Sequence, residues 1–188
     1  SSSAMKTKNL ILFGDSMFGR FGRDYILLLE EALGNVTVYN CAAGGFDTRD
    51  GIKRADYIAQ LKADIICLSF GANDSDPERG HAVPLEEFIR NITSIIAKFY
   101  GSKIILFPCP PADDPADEIG TRNFNKLLSQ YNQALQEVSK KTNVEIIDSA
   151  TVYGEFFKQR INYHVPDGIH FNEIGNKKLI EEISKIIQ

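Results

Sequence analysis

The chain has 188 residues, 43% of them hydrophobic and 24% charged, which is typical of one globular domain with a substantial core. Its formal net charge of -4 at pH 7, with no block of lysines or arginines, argues against a nucleic-acid partner. The cysteines, Cys41, Cys67 and Cys109, are odd in number and lack short paired spacing, so neither a disulfide framework nor a zinc site is expected.

The N-terminal stretch indicates where the domain begins. Residues 1–4, which precede Met5, look like the remnant of an expression tag, so we expect a single domain over residues 5–188. The first apolar run, residues 10–13, follows Met5 with no room for a signal peptide and is too short to cross a membrane. We therefore expect a cytoplasmic protein with no membrane partner, although a chain trimmed of its leader would read the same.

Short apolar runs predict five β-strands. They span residues 10–13, 36–40, 65–70, 103–107 and 144–147. Because hydrophobic and polar residues do not alternate within these runs, we expect strands that are buried on both faces, as in a parallel sheet.

Between the strands, hydrophobic residues recur every three or four positions, which predicts helices. The predicted helices span residues 25–33, 48–61, 85–99, 124–138 and 174–187. Thr121 is a possible N-cap of the fourth helix, and Gly34 and Gly101 suit the ends of the first and third. Strands that alternate with helices predict a three-layer α/β/α sandwich with a flavodoxin-like parallel sheet in the order 2-1-3-4-5.

Residues with catalytic potential follow the predicted strand ends. They are Ser16 after strand one, Gly44 and Gly45 after strand two, Asn73 after strand three, and Asp167 and His170 beyond strand five. The carboxyl ends of parallel strands lie along one edge of a sheet, where open α/β folds bind their ligands. We therefore expect these residues to converge.

This set of residues fits acyl transfer from an ester, which needs a nucleophile, a base, a group that orients the base, and donors for the oxyanion. Ser16 can attack and His170 can take its proton, while Asp167 lies three residues before His170 and can orient the imidazole. The backbone N–H of Ser16, an N–H of the 44–45 pair and the side-chain amide of Asn73 can stabilise the oxyanion.

Each of these residues also has a structural interpretation. Ser16 and the residue before it can cap a helix, the glycine pair can form a tight turn, and Asn73 can begin a turn. His170 can be an ordinary core or surface histidine, which is how we interpret His81 and His164. The joint placement on one sheet edge favours catalysis over these separate interpretations.

The pattern resembles the SGNH hydrolases, also called GDSL-type esterases and lipases, over residues 13–175. The similar blocks are Gly14-Asp15-Ser16, the segment from Asn40 to Gly45, Gly71-Ala72-Asn73-Asp74 and Asp167-Gly168-Ile169-His170. The resemblance implies Ser16 as the nucleophile, with Asp167 and His170 completing the triad, and no cofactor. It also implies oxyanion donors from Ser16, Asn73 and Gly45, with Gly44 as the alternative to Gly45.

Residues 45–49, 70–74 and 83–85 resemble the isoamyl-acetate-hydrolysing esterase group within that family. This resemblance implies hydrolysis of small acetyl-type or short-chain esters through an acyl-enzyme on Ser16. Met17 departs from the family pattern, in which a leucine is usual, and can alter packing beside the nucleophile without removing a catalytic group. The motif Gly-x-Ser-x-Gly does not surround Ser16, which argues against the α/β-hydrolase elbow.

Other functions stay open at this point. Within the family, the substrate can be an O-acetyl carbohydrate, a lysophospholipid or a thioester. A different class is a flavodoxin-like module that binds a small ligand without chemistry, although no phosphate-cradling glycine motif follows any strand. No pattern in the sequence indicates an oligomeric state.

The loops expected near the site contain candidates for the substrate pocket. Phe18, Phe21, Phe46 and the pair Pro110-Pro111 can line an apolar pocket, with core packing as the alternative for each. The acidic residues within 113–118 are interpreted as a solvated loop before a helix rather than as a metal site.

Overall fold

The computed structural model describes residues 7–188, so the predicted tag remnant at residues 1–4 and the domain start at Met5 lie outside the described residues. The strands are Lys8–Gly14 (β1), Val36–Asn40 (β2), Ile65–Ser69 (β3), Lys103–Leu106 (β4) and Glu145–Ile146 (β5). The helices are Ser16–Gly19 (α1), Arg23–Leu33 (α2), Thr48–Ala59 (α3), Leu85–Lys98 (α4), Pro115–Glu118 (α5), Phe124–Thr142 (α6), Ser149–Lys158 (α7) and Glu173–Ile187 (α8).

All five strands form one parallel sheet in the order β2-β1-β3-β4-β5, as predicted. Leu10 and Leu12 of β1 enter a hydrophobic cluster that includes residues of α2 and α8, whereas Ile11 and Phe13 enter a second cluster with α3 and α4. Because helices cover both faces of the sheet, β1 appears in the sequence as an unbroken apolar run. The three-layer α/β/α prediction is confirmed.

Three of the helices are not predicted from the sequence. Helices α1 and α5 have four residues each, which is too short for a repeating hydrophobic pattern. Helix α7 lies in the segment between the fifth strand and Asp167, for which no helix is predicted from the sequence. Strand β5 has two residues rather than four, because the ladder with β4 is limited to Glu145 and Ile146.

The prediction that Thr121 caps the fourth predicted helix is wrong. Helix α6 begins at Phe124, and its N-cap is Asn123, which has the left-handed φ of 60°. The Thr121 hydroxyl instead donates to the Ala116 carbonyl at 2.8 Å, so it closes the turn of α5 and is not available to the next helix.

Within residues 7–188, no helix combines the length and apolar character that crossing a membrane requires. The single domain over residues 5–188 and the cytoplasmic location stay predictions.

Candidate active site

The end of β1 presents Ser16 at the carboxyl edge of the sheet. At Gly14 (φ 152°) a Cβ atom would lie 2.0 Å from the carbonyl oxygen of Ser69, so the close approach of β1 to β3 excludes any side chain. Asp15 then caps α1 by accepting a hydrogen bond from the Met17 N–H at 3.0 Å. Capping and catalysis therefore do not exclude one another, because Asp15 caps the helix while the Ser16 hydroxyl faces His170.

The predicted triad residues come together. The Oγ of Ser16 lies 2.6 Å from Nε2 of His170, and Nδ1 of His170 lies 2.5 Å from Oδ2 of Asp167. An ionised carboxylate can accept but not donate, so Nδ1 must carry the ring proton. The other ring nitrogen, Nε2, is then an acceptor facing the serine hydroxyl, which is the arrangement that a general base needs.

Asp167 is held in its ionised form. Partial burial opposes ionisation, but hydrogen bonds from the Ile169 N–H and from the ring and N–H of His170 outweigh it and lower the pKa of Asp167 to about 2. Its Oδ1 accepts the backbone N–H groups of Ile169 at 2.8 Å and His170 at 2.9 Å. The same carboxylate therefore shapes the turn and orients the imidazole.

The turn that carries Asp167 and His170 is anchored to the loop after β4. Gly168 (φ 72°) has its carbonyl bonded to the Asp113 N–H at 2.7 Å, and a Cβ atom at Gly168 would lie 1.9 Å from the Asp113 carbonyl oxygen. A glycine is therefore required at this position by both φ and contact. The Val165 N–H donates to the His170 carbonyl at 2.9 Å and closes the turn.

Helix α7 and a cluster of aromatic residues pack against the segment that follows this turn. Phe171, which directly follows His170, stacks on Tyr153 of α7 with ring centroids 4.8 Å apart and an interplanar angle of 6°. The Tyr153 hydroxyl, fully buried, donates to the Gly175 carbonyl at 2.8 Å. The unpredicted helix α7 therefore fixes the residues that directly follow His170.

The glycine pair forms a turn beside the nucleophile. The Phe46 N–H donates to the Ala43 carbonyl at 3.4 Å, which leaves Gly44 and Gly45 at the centre of the turn. A Cβ atom at Gly44 would lie 3.9 Å from Cβ of Ser16, whereas Gly45 lies against Arg79. Within residues 7–188 the N–H groups of Ser16, Gly44 and Gly45 donate no hydrogen bond to another residue, so each is available to a substrate.

Asn73 is part of the same arrangement. Its Nδ2 donates to the Phe46 carbonyl at 2.9 Å, and a primary amide has a second N–H that this bond leaves free. The next residue, Asp74, is buried and accepts from the N–H of Thr48 at 3.0 Å and from its hydroxyl at 2.6 Å. Asn73 and Asp74 thus tie the loop after β3 to the loop after β2.

Sequence reasoning missed Arg20, which contacts the triad, and gave no role to Asn40, which supports the segment after α1. Arg20 Nη1 donates to Asp167 Oδ2 at 3.2 Å, on the oxygen that also faces the imidazole. The Nδ2 of Asn40 donates to the carbonyls of Phe18 and Phe21 and so secures the segment after α1. Arg20 lies four positions after Ser16, a spacing that would have indicated it had α1 been predicted.

Two carboxyl groups next to the site residues are buried without full compensation. Burial raises the pKa of Asp15 to about 7, and repulsion from Asp74 contributes further. Burial likewise raises the pKa of Asp74 to about 6, against the hydrogen bonds from Thr48. Oδ2 of Asp15 and Oδ1 of Asp74 have no hydrogen-bond partner among the described residues, so ionisation of either group is less favourable in the folded state than in water.

Most of the proposed pocket residues are structural. Phe18 and Phe21 are at most 1% exposed, and Phe18 stacks on Phe107 at 5.8 Å, so both belong to the core. Phe46 is partly exposed, with the Arg54 guanidinium 4.3 Å from its ring centroid. In the Pro110-Pro111 pair, Pro110 is buried and Pro111 exposed.

A cavity of about 530 Å³ lies between the loop after β4 and α7, lined in part by Asp113, Phe157 and His164. Neither Ser16 nor His170 lines it, so the reaction centre lies outside this cavity. His164 packs on the Tyr163 ring at 4.0 Å, and burial lowers its pKa, as expected for a core histidine.

In the acidic loop at residues 113–118, Asp114 has a structural role. Asp114 caps α5 and pairs with Arg122 at 2.9 Å. In the part of the chain that the structure describes, no group of three or more histidine, cysteine or acidic side chains is arranged to hold a metal ion.

Comparison with known proteins places this geometry in context. The family model for GDSL-like lipases and acylhydrolases matches residues 12–178. A GDSL esterase/lipase of Oryza sativa is 24% identical over 166 residues, which cover 77% of this chain and 62% of the rice protein. The isoamyl acetate-hydrolyzing esterase of Saccharomyces cerevisiae is 24% identical over 208 residues, which cover 98% of this chain and 87% of the yeast protein. The chain thus spans less than two thirds of the rice protein and most of the yeast protein.

Solved structures share the fold. A lipase/acylhydrolase from Enterococcus faecalis matches with a TM-score of 0.85 at 24% identity, over 96% of this chain and 95% of that one. An acetylxylan esterase from Geobacillus stearothermophilus matches with a TM-score of 0.81 at 19% identity, over 97% of this chain and 96% of that one.

Proposed function

We propose, from the premise that this chain belongs to the GDSL-like lipase/acylhydrolase family, that it hydrolyses short-chain, acetyl-type esters through an acyl-enzyme on Ser16. Membership makes the chain a carboxylic ester hydrolase. The observation that carries the finer proposal is the chain of contacts from Ser16 Oγ to His170 Nε2 at 2.6 Å and from His170 Nδ1 to Asp167 Oδ2 at 2.5 Å.

The reaction proceeds in two halves. Ser16 Oγ attacks the acyl carbonyl carbon while its proton passes to Nε2 of His170, which gives a tetrahedral intermediate. Collapse breaks the ester C–O bond, and the alcohol leaves with the proton from His170. Water then gives a proton to Nε2 and attacks the acyl carbon, which forms a second tetrahedral intermediate. Its collapse breaks the bond between the acyl carbon and Oγ, and His170 returns the proton to Oγ, which releases the carboxylic acid and regenerates Ser16.

Asp167 supports this proton transfer without exchanging a proton itself. Because the pKa of Asp167 is lowered to about 2, its carboxylate stays negative throughout the neutral range. It keeps the ring proton of His170 on Nδ1 and stabilises the imidazolium that forms during attack.

The oxyanion is stabilised by three donors in this proposal. They are the N–H of Ser16, the N–H of Gly45 and the second N–H of the Asn73 amide. The support is that both backbone groups donate no hydrogen bond among residues 7–188, which is also true of the alternative Gly44 N–H, and that the Asn73 amide is oriented by its bond to Phe46. Such preorganised donors stabilise the charge that develops in the transition state.

The acetyl preference rests on similarity. The yeast relative is named for hydrolysis of isoamyl acetate, and the Geobacillus stearothermophilus structure is an acetylxylan esterase. The two names share an acetyl group and differ in the alcohol, so the proposal commits to the acyl side of the substrate.

Kinetics with p-nitrophenyl esters of increasing chain length test the proposal. We expect kcat/KM to be highest for the acetyl ester, and Ser16→Ala to lose at least about 10³-fold in kcat. An acetylated xylooligosaccharide, a lysophospholipid and an acetyl thioester belong in the same screen, because faster turnover of any of them would replace the simple ester. An inactive wild type that still binds small ligands would favour the non-catalytic module, and an unimpaired Ser16→Ala variant would contradict the acyl-enzyme.

A further inference from the structure

Arg79 contacts the glycine turn from the loop after β3. It ends a short 3-10 turn, Pro77–Arg79, and its Nη2 donates to the Gly45 carbonyl at 2.6 Å. Its Nη1 lies 3.7 Å from Oδ2 of Asp47, the buried carboxylate that caps α3. The guanidinium therefore lies between the backbone of the proposed oxyanion glycine and a fixed negative charge.

The environment of Arg79 differs from that of an ordinary surface arginine. Its side chain is 22% exposed, and Nη1 is buried without a hydrogen-bond acceptor in the described part of the chain. Arg49 provides the contrast, because it is 44% exposed and forms a bidentate pair with Glu87 at 2.6 and 2.9 Å. A buried donor that stays unsatisfied lowers stability, so stability alone does not account for Arg79.

The glycine turn needs support from outside. Its own closing bond, from the Phe46 N–H to the Ala43 carbonyl, is long at 3.4 Å. Two side chains from the loop after β3 hold consecutive carbonyls of this turn, Arg79 on Gly45 and Asn73 on Phe46. Since glycines have wide conformational freedom, losing one of these contacts would let the turn reorient.

The 3-10 turn that carries Arg79 is itself fixed. Asp76 caps it by accepting the Glu78 N–H at 3.1 Å, and Asp76 also pairs with Arg122 at 3.0 Å. The Arg122 guanidinium bonds to Asp114 of the next loop at 2.9 Å. Arg79 therefore projects from a rigid base toward Gly45.

We propose that Arg79 is a positioning residue of the oxyanion hole, which holds the Gly45 carbonyl so that the Gly45 N–H stays directed at the substrate oxyanion. This inference rests on the proposed function. It predicts that Arg79 affects the transition state more than the bound ester, because the oxyanion forms during attack.

The test compares Arg79→Met, which keeps length and removes charge, with Arg79→Lys and the control Arg49→Met. For p-nitrophenyl acetate we expect Arg79→Met to lower kcat by about 10- to 100-fold with KM within about twofold, and Arg79→Lys to lie between it and wild type. Affinity for a small alkylboronic acid, which forms a tetrahedral adduct with a serine, should weaken in parallel with kcat/KM. Arg49→Met should leave kcat and boronate affinity unchanged.

Chemical rescue separates positioning from folding. Added ethylguanidinium should restore kcat of Arg79→Ala at least several-fold, whereas ethylammonium should not. A kcat for Arg79→Met equal to wild type, a loss expressed in KM, or an equal loss in Arg49→Met would overturn the inference. If Arg79→Met does not fold, Arg79→Lys with wild-type kcat and boronate affinity would overturn it as well. An inactive wild type would instead remove the proposed function, so the two failures are distinguishable.

Discussion

The two halves of the candidate site are held in place by different means. In the acid–base half, residues 165–170, the backbone folds on itself, and Asp167 accepts the N–H groups of residues two and three positions later. In the oxyanion half, residues 43–46, the holding side chains are Asn73 and Arg79, which are 27 and 34 positions from their acceptors. The acid–base half is shaped mainly by hydrogen bonds within a short motif, with one anchor to the loop after β4, whereas the oxyanion half depends on side chains from a separate loop.

The difference predicts how each half fails. Loss of a distant side chain should loosen the oxyanion half while leaving the backbone fold intact. A change in the backbone of the acid–base half should displace the base itself. The following variants separate the two cases.

Asn73→Ala should have the largest effect, because it removes a proposed oxyanion donor and also the bond to Phe46. We expect kcat for p-nitrophenyl acetate to fall by about 10²- to 10³-fold with little change in KM. The matched control is Asn91→Ala, which removes a buried amide bonded to the Thr48 hydroxyl at 3.1 Å. That variant should lose stability and keep kcat, and equal losses of kcat in both variants would show that Asn73 has a structural role alone.

Gly168→Ala should break the acid–base half. Its φ of 72° disfavours a side chain, and the added Cβ would lie 1.9 Å from the Asp113 carbonyl oxygen, so the turn must shift. Displacing His170 by about 1 Å should lower kcat by about 10²-fold. Gly154→Ala in α7 meets no atom within 4 Å and should keep full activity. Wild-type kinetics for Gly168→Ala would contradict the proposed rigidity of this turn.

Asp15→Asn should change the pH dependence of stability. The folded-state pKa of Asp15 is raised to about 7 from an ordinary 3.8, so its contribution is complete below pH 3.8 and is lost as the pH rises through 7. The lowered pKa of Asp167, about 2, has the opposite sign, and its contribution is lost only as the pH falls below 3.8 toward 2.

Asparagine caps a helix as well as aspartate and carries no charge, so Asp15→Asn should gain Tm relative to wild type as the pH rises from 5 to 8. The gain should be roughly 2–4 °C for each kcal/mol in a chain of this size. Thermal unfolding at both pH values measures it, and a Tm difference that is independent of pH would show that folding does not raise the pKa of Asp15.

Arg20→Gln should give the smallest effect. Arg20 is far from Asp167 in the sequence but contacts it in the fold, and its side chain is 58% exposed. Without the positive charge beside Asp167, the protonated form of His170 is favoured. The acid limb of the kcat/KM profile should therefore move to higher pH. The shift should be a few tenths of a pH unit, because exposed ion pairs are worth about 0.2–1 kcal/mol. Added salt should move the wild-type limb in the same direction. A limb that matches that of the exposed control Arg23→Gln would show that Arg20 has no such influence.

The same contrast explains what the sequence could predict. The five strands, their order and the Asp167-to-His170 spacing could be predicted, because they follow from apolar runs and short motifs of neighbouring residues. Helix α7 and the Tyr153–Phe171 stacking were missed because Tyr153 is the only buried hydrophobic residue of α7, so no repeating apolar pattern marks the helix, although Tyr153 and Phe171 belong to the main hydrophobic cluster. Arg79 was missed because its partner Gly45 is 34 positions away and no local pattern marks the contact.

The most direct measurement is rapid acid quenching during turnover of p-nitrophenyl acetate, followed by mass spectrometry of the peptide that contains Ser16. We predict one acetyl group on Ser16 in the wild type, and more of it in Gly168→Ala if deacylation is slowed with the displaced His170. The contradictory result is steady turnover with the acetyl group absent from Ser16, or turnover that survives Ser16→Ala.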